Sequence, residues 1–258
     1  MLFVGDIGNS QTVLGLRADD GSVVRRWRIH TEPRTPDELG ILLRALLASD
    51  PDGPPRLDAC CFASVVPHVT GAMIEAARRY LDAPAHEFRW SPELGIDLVV
   101  EEPDQVGPDR VANTLAAHLA YPGPAIVVDL GTATNFDVVS AEGAFLGGLI
   151  APGVESGAAT LSGGTALLPD VAPGFPASTI GKTTVEHMQI GIYTGACAMI
   201  EGLVERLREE WEPDPTVIAA GGLAPLFADR CGAIDVVDPD LTIKGVGWGH
   251  DRIHPPEA

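Results

Sequence analysis

The sequence predicts an α/β protein made of two related halves. Short apolar runs alternate with longer segments whose apolar residues recur at helical spacing, which favours sheets covered by helices. A strand, an Asp-x-Gly loop, a second strand, a glycine turn and a third strand follow one another twice, starting near Leu2 and near Ala125. Such a repeat predicts two lobes that face each other across a cleft. With 258 residues, the chain is long enough for each lobe to bury a core.

The N-terminal half is predicted to begin with a hairpin and to continue with alternating strands and helices. The turn at Asp19–Gly21 separates two strand-like runs and is typical of a hairpin. Thr35, with Glu38 three residues later, is typical of a helix start. The predicted strands are Leu2–Val4, Gln11–Arg17, Val23–Ile29 and Ala59–Ser64, and the predicted helices are Leu39–Leu47, His68–Tyr80 and Asp109–Ala120.

The turn-forming stretch Tyr121–Pro124 predicts the boundary between the lobes, at residues 1–120 and 121–258. A long helical pattern over Thr183–Glu210 is expected to be interrupted near Gly191 and Gly195. The strands predicted for this half are Ala125–Val128, Asn135–Val139, Phe145–Ile150 and Val217–Ala220.

Charge and composition exclude several classes of function. The chain has 17 Lys and Arg against 36 Asp and Glu, a net charge of −19, which argues against binding nucleic acid. No apolar run approaches the roughly 18 residues of a membrane helix, and Met1–Asp6 has no basic leader. The four cysteines lack metal-binding spacing, and Cys60 and Cys61, in an apolar stretch, are expected to be small core residues. We therefore expect a cytoplasmic, reduced protein with no membrane partner.

The two Asp-x-Gly loops are candidate phosphate sites. A glycine turn after a buried strand exposes backbone N–H groups, and neighbouring hydroxyls add donors, so such a loop can hold phosphate without a net positive charge. The aspartate of each loop, Asp6 or Asp129, can hold a cation directly or through water. The alternative is that both loops are tight hairpin entries with Asx-type capping. One loop alone favours the alternative, whereas two in matching contexts favour function.

Three further segments are ambiguous when taken singly. The small residues of Gly221–Pro225 would let an adenine or ribose lie against the backbone, but they also suit ordinary helix packing. Gly147–Gly153 fits either a bulged strand end or a ligand-facing loop. Asp109 and Arg110 fit either a helix start with a surface arginine or a carboxylate that accepts a hydroxyl proton beside a cation for an anionic acceptor.

Taken together and in order, these segments resemble type III pantothenate kinases, from the start of the chain to about Gly245. The resemblance implies the duplicated ribonuclease-H-like fold of the acetate and sugar kinase, Hsp70 and actin superfamily, that is, an actin-like ATPase fold. It implies a homodimer that phosphorylates pantothenate with ATP, the first step of coenzyme A synthesis. It also implies Mg²⁺ and a monovalent cation, K⁺ or NH₄⁺. The segments that carry it are Asp6–Ser10, Gly107–Arg110, Asp129–Thr134, Gly147–Gly153, Ile180–Glu186 and Gly221–Pro225.

The resemblance also implies a role for individual residues. Asp109 would accept the hydroxyl proton, Asp129 would bind the monovalent cation, and Asp6 would hold Mg²⁺ through water. Thr132 would also lie at the nucleotide. The residues implied for the ATP phosphates are Asp6, Ile7, Gly8, Asn9, Ser10, Gln11, Thr12 and Val13. Those implied for pantothenate are Val100, Gly107, Pro108, Asp109, Arg110 and Thr184.

The chain departs from the family pattern mainly on the acceptor side. Pro108 replaces the Ala of G-A-D-R and removes one N–H, and Asn135 replaces a Thr of T-A-T-T. In the stretch that is usually Tyr-Asp-Asn-Pro, the aromatic position is Val100 and the amide position is Glu102. Gly164 replaces the Arg of R-T-A-x-L-P.

These departures leave three hypotheses open. The chain is a divergent pantothenate kinase, a related kinase with an acceptor pocket retuned for another small hydroxyl compound, or a non-catalytic regulatory homologue. The first is favoured over the second. The third is the weakest, because a homologue without activity has no chemical reason to keep Asp6, Asp109 and Asp129 together.

Overall fold

A computed structural model of the chain describes residues 1–49, 53–211 and 214–255. These residues form two compact units. The N-terminal unit runs from Met1 to Leu119 and also takes in the chain from Asp240 onwards, and the C-terminal unit runs from Ala120 to Pro239. In the described residues, each unit is built on one five-stranded sheet. The predicted α/β fold class is confirmed.

The helices and strands follow the predicted order closely. Those up to residue 120 are β1 (Leu2–Ile7), β2 (Gln11–Arg17), β3 (Val23–His30), α1 (Pro36–Ala48), β4 (Ala59–Ser64), α2 (Pro67–Tyr80), β5 (Ala85–Glu87) and α3 (Pro108–Ala120). Those that follow are β6 (Ala125–Leu130), β7 (Ala133–Val139), β8 (Phe145–Pro152), α4 (Val154–Gly163), α5 (Thr184–Gln189), α6 (Gly195–Glu210), β9 (Thr216–Ala220), α7 (Ala224–Phe227), β10 (Val236–Val237) and α8 (Leu241–Ile253).

The two sheets have the same topology. In the N-terminal unit the strand order is β3-β2-β1-β4-β5, with β1 antiparallel to β2 and parallel to β4. In the C-terminal unit the order is β8-β7-β6-β9-β10, with β6 antiparallel to β7 and parallel to β9. The repeat seen in the sequence is therefore a repeat of the fold, and β1 and β6 are the equivalent central strands.

The sheet of the N-terminal unit is covered by helices on both faces. Successive side chains of a strand point to opposite faces. Phe3 and Phe62 accordingly pack against α1 and α2, whereas Val4 and Cys61 pack against α3 and α8. Burial of each large apolar side chain stabilises the unit by about 1.5–3 kcal/mol. The same alternation puts Cys60 and Cys61 in different cores, and both thiols are free and buried, as expected.

Helix α8 packs with the N-terminal unit, although the chain order assigns residues 121–258 to the second lobe. Ile243 and Val246 complete the apolar layer over β1 and β4, and the Thr242 hydroxyl donates to Asn113 Oδ1 of α3 at 2.8 Å. Because α8 follows the second repeat and lies outside both copies, the repeat does not show where it packs.

The core of the C-terminal unit lies between its sheet and α6. Ile126 and Phe136 pack there against Ile200 and Val204. The predicted interruption of the long helix is confirmed, because a π-helical turn over Ile190–Thr194 joins α5 to α6. None of the helices in the described part of the chain has both the length and the apolar character needed to cross a membrane.

Candidate active site

The two equivalent aspartates lie at the ends of strands. Asp6 is the penultimate residue of β1 and Asp129 that of β6, so neither opens a loop as the sequence suggested. The strands extend further because the antiparallel ladder pairs Asp6 with Val13 and Asp129 with Asn135. Both aspartates are half-buried. Each is therefore held rigidly, immediately before a glycine loop.

The first loop presents its polar groups at Asn9 and Ser10, which are exposed. It is closed by a hydrogen bond from the Gly8 N–H to the carbonyl of Gln11 at 3.1 Å. Thr12 is completely buried, and its hydroxyl is 2.8 Å from that of Thr31. The Thr12 hydroxyl is thus directed into the protein, and the exposed donors are those of the loop itself. Of the other residues predicted here, Ile7 is buried and Gln11 and Val13 are half-buried.

The second loop is supported by α4. The Gly131 N–H donates to the carbonyl of Ala133 at 3.0 Å, and Thr132 is exposed. The Ser156 hydroxyl donates to the Thr132 carbonyl at 2.7 Å, and a side chain at position 153 would collide with that carbonyl, so Gly153 is required there. Thr134 is completely buried, and its hydroxyl donates to the carbonyl of Pro152. The sequence did not single out Ser156, because nothing in its spacing connects it to the loop.

An oxygen-lined cradle lies beside Asp129. Gly221 follows β9 with φ +85°, in the left-handed region that favours glycine. A methyl group at this position would lie 2.6 Å from Asp129 Oδ1 and 2.8 Å from the carbonyl oxygen of Leu130. Carboxylate and carbonyl oxygens are ligands that hard cations prefer. The donors at this point therefore fit the monovalent cation that the resemblance implies.

The acceptor motif forms the start of α3. Pro108 is the first residue of the helix, where a backbone N–H has no partner within the helix, so the missing N–H of proline costs no hydrogen bond. The Val111 N–H donates to the Gly107 carbonyl at 3.1 Å. Asp109 follows, and its Oδ1 accepts from the Arg110 N–H at 2.9 Å. Burial raises the pKa of Asp109, while this hydrogen bond and the Arg110 charge oppose the shift. The motif therefore holds a partly buried carboxylate whose pKa lies above that of an exposed aspartate.

The other predicted acceptor residues are Val100 and Thr184. Val100 is half-buried in the N-terminal unit and precedes the exposed Glu102. Thr184 is exposed at the first position of α5 in the C-terminal unit. This helix start is fixed by a capping box in which the Glu186 N–H donates to Thr183 Oγ1 at 3.2 Å.

A separate surface pocket of about 260 Å³ lies in the C-terminal unit, between α4 and the π-helical turn. None of the predicted site residues lines it. Its lining residues are Glu155, Ala158, Ala159, Ser162, Asp170, Val171, Pro173 and Tyr193.

Known proteins identify the family. Residues 2–206 match the type III pantothenate kinase family. A type III pantothenate kinase of Acidothermus cellulolyticus is 44% identical over 247 residues, which cover 95% of this chain and 96% of that protein. One of Rhodospirillum rubrum is 44% identical over 258 residues, covering 99% and 100%. The chain belongs to the type III pantothenate kinase family.

Solved structures agree with this family's fold. The ethanolamine utilization protein EutJ of Carboxydothermus hydrogenoformans superposes with a TM-score of 0.57 at 18% identity, covering 95% of this chain and 88% of that one. An inorganic polyphosphate/ATP-glucomannokinase of Arthrobacter superposes with a TM-score of 0.50 at 14% identity, covering 98% of each chain. These likenesses support the actin-like fold of two mixed sheets that the resemblance implied.

Proposed function

We propose that this chain transfers the terminal phosphoryl group of ATP to the hydroxyl of pantothenate, giving 4′-phosphopantothenate, the first step of coenzyme A synthesis. The observation that carries the proposal is the 44% identity, over almost the whole of both chains, to a protein named type III pantothenate kinase. The retained Asp6, Asp109 and Asp129 supply the acidic groups that this chemistry needs.

Asp109 is proposed as the proton acceptor. In phosphoryl transfer the protein mainly positions the reactants and neutralises spreading charge, while a carboxylate orients the attacking hydroxyl and takes its proton. The start of α3 holds the Asp109 carboxylate against the Arg110 N–H at 2.9 Å, which limits the directions it can take. Since its pKa is raised by burial, it is a stronger base than an exposed aspartate. Arg110 supplies a cation for the carboxylate of the acceptor.

The two loops are proposed to hold the nucleotide and its cations. Backbone N–H groups and exposed side chains of Asn9 and Ser10 would contact the phosphates, with Thr132 also at the nucleotide. Asp6 would hold Mg²⁺ through water, and Asp129 would bind K⁺ or NH₄⁺ directly. When bound, these cations neutralise the charge that develops on the phosphoryl oxygens.

The acceptor is tested by measuring ATP consumption in Mg²⁺ and K⁺, with and without pantothenate, and by identifying the product by mass. We expect turnover that depends on pantothenate. Turnover with another small hydroxy acid but not with pantothenate would favour the retuned pocket, to which Val100, Glu102 and Gly164 would contribute. ATP binding without turnover on any acceptor would contradict the proposal.

The base is tested with Asp109→Asn, which keeps the shape of the side chain. We expect turnover to fall by about 10²–10⁴-fold while ATP still binds. In the unchanged protein, turnover should be lost as pH falls through the pKa of Asp109, because only the ionised carboxylate accepts a proton. Equal turnover in the variant would exclude Asp109 as the base.

We also propose that the chain forms a homodimer through the C-terminal unit. Large apolar side chains are exposed there on β8, in the segment that follows α4, and on α5. Leu167 is 90% exposed, Ile180 70% and Ile150 67%. Large apolar side chains that are exposed to this degree are typical of interaction surfaces, and the family resemblance implies that a second copy of the chain covers them.

Light scattering of the purified protein tests the dimer. The unchanged chain should have twice the monomer mass, and Ile150→Asp should shift it towards the monomer. Val24→Asp, at an exposed apolar position of the N-terminal unit, is the matched control and should remain dimeric. A monomeric unchanged chain would contradict the dimer without affecting the kinase proposal.

A further inference from the structure

Two of the four cysteines lie together in the core of the C-terminal unit. Cys197 belongs to α6 and Cys231 follows α7. The Cys231 thiol donates to the carbonyl oxygen of Cys197, with its sulfur 3.9 Å from that oxygen. Neither residue belongs to the proposed active site. Both belong to one apolar cluster and are free thiols.

The backbone around Cys231 is held against α6 by a second contact. Glu201 lies one helical turn after Cys197, and its Oε1 accepts from the Gly232 N–H at 2.8 Å. The Cys231 N–H donates to the Phe227 carbonyl at 3.0 Å, which fixes the chain on the other side. Cys231 is therefore held beside residue 197 by segments that are already bonded together.

The surroundings make the two thiols unequal. A hydrogen bond with the Cys197 side chain and the backbone N–H groups of Ala233 and Ile234 lower the pKa of Cys231, although burial opposes this. The same hydrogen bond, followed by burial, raises the pKa of Cys197. The facing charge of Glu201 disfavours both thiolates. Since the thiolate is the reactive form, Cys231 is the nucleophile of the pair.

We propose that Cys197 and Cys231 form a reversible disulfide when the protein meets a peroxide. The Cys231 thiolate attacks one peroxide oxygen, giving a sulfenic acid and releasing hydroxide. The sulfur of Cys197 then attacks the sulfenic sulfur, its proton goes to the departing hydroxide, and water leaves. Two thiols and one H₂O₂ thus give one disulfide and two waters, and a dithiol reverses the reaction by exchange.

Cys60 and Cys61 provide an internal control. They are neighbours in β4, and their side chains enter different cores. Burial raises the pKa of each thiol to about 12. We expect both to remain thiols when Cys197 and Cys231 react.

The test is to treat the full-length protein with one equivalent of H₂O₂, to unfold it, and to alkylate and map its peptides by mass. The expected result is a fall from four alkylated cysteines to two, with a linked pair of peptides that contain Cys197 and Cys231 and lack two hydrogen atoms. Dithiothreitol should restore all four. Four free thiols after treatment, or links that involve Cys60 or Cys61, would overturn the proposal.

A variant separates the two roles. Cys197→Ala keeps the Cys231 sulfur that attacks the peroxide and lacks the Cys197 sulfur that closes the disulfide. The sulfenic acid on Cys231 should therefore persist and form an adduct with dimedone in place of the disulfide. If the adduct forms instead on Cys60 or Cys61, the assignment of Cys231 is wrong. The peptide mapping uses the unchanged protein. It can therefore refute the disulfide even if Cys197→Ala does not fold.

Discussion

The ends of β1 and β6 have the same backbone frame but different surroundings. Asp6 lies between Val13 and Ala63 in the N-terminal sheet. Asp129 lies between Asn135 and Ala220 in the C-terminal sheet. Because cross-strand neighbours share a face of the sheet, an apolar side chain adjoins the first carboxylate and an amide adjoins the second.

The residue after the flanking alanine differs as well. In the N-terminal unit it is Ser64, whose hydroxyl accepts from the Val66 N–H at 3.1 Å and from the Thr70 hydroxyl at 2.7 Å. In the C-terminal unit it is the left-handed Gly221, which leaves room beside Asp129. The cradle of oxygens therefore exists in only one of the two copies. The two copies share the strand frame, and the different neighbours are the reason that we propose a different cation for each aspartate.

Between the two strand ends, the largest expected effect comes from removing the charge of Asp6. Asp6→Asn should lower turnover by about 10- to 100-fold, because a group that holds a metal through water contributes that much. The Mg²⁺ concentration for half-maximal rate should rise, and the K⁺ dependence should be unchanged. Steady-state rates measured against each cation check this. A shift in the K⁺ dependence alone would reverse the assignment.

A methyl group in the cradle should show whether K⁺ activation depends on the space beside Asp129 as well as on its charge. Gly221→Ala places a methyl group against Asp129 Oδ1 and forces a side chain into the left-handed region, at a cost of about 1–3 kcal/mol in the free energy of unfolding. We expect it also to weaken K⁺ activation. Gly123→Ala is the matched control, since Gly123 has φ +90° but no atom within 4 Å of the added methyl. It should lose stability and keep its K⁺ dependence.

Acid should weaken the N-terminal unit first. The ring of His86 lies 4.1 Å from that of His254 and 5.5 Å from that of His250, between centroids. Burial, followed by the neighbouring His254, lowers the pKa of His86 and of His250. Arg78 adds to the shift of His86, and Asp251 opposes that of His250. The unfolded chain therefore takes up protons more readily, and the free energy of unfolding should fall as pH drops below about 6.5.

Hydrogen exchange at pH 7.5 and pH 5.5 measures this difference. Protection of β5 and α8 should fall at the lower pH, with less change in β6 and β9 of the C-terminal unit, whose single histidine, His187, is exposed. His250→Gln should flatten the pH dependence of stability. His68→Gln, at an exposed position of α2, is the control. Equal loss of protection in both sheets would contradict the prediction.

The smallest effect is expected at Asn135. Asn135→Thr restores the residue of the family pattern beside Asp129. Cross-strand pairs contribute about 0.2–1 kcal/mol, so the half-saturating K⁺ concentration should change by less than about sixfold. Val13→Thr, at the equivalent position beside Asp6, should leave that concentration unchanged. A large effect of Val13→Thr on K⁺ would mean that the two loops share one cation.

The sequence predicted the repeated strands because their hydrophobic patterns and glycine turns are local. The hairpin Gln11–Arg17 and Val23–His30 and the buried strand Ala59–Ser64 follow from such patterns. It also indicated the acidic residues of both loops. What it did not show depends on tertiary contacts: α8 packs with the N-terminal unit, and the Thr12 hydroxyl is turned into the protein.

The cradle beside Asp129 could not be predicted for the same reason. It depends on the parallel register of β6 and β9, which brings Gly221 beside Asp129 although the two residues are far apart in the sequence. The support that Ser156 gives to Thr132 likewise joins a helix to a loop 24 residues before it. Local pattern carries no information about either pairing.

The proposal that Asp6 serves Mg²⁺ and Asp129 serves K⁺ is tested most directly by titrating both cations in variants of both residues. Initial rates of pantothenate-dependent ATP consumption are measured against Mg²⁺ at saturating K⁺, and against K⁺ at saturating Mg²⁺, for the unchanged chain, Asp6→Asn and Asp129→Asn. We predict that Asp129→Asn loses its response to K⁺ and keeps its Mg²⁺ dependence, whereas Asp6→Asn shows the opposite. If both variants shift the dependence on the same cation, the assignment of a different cation to each aspartate is wrong.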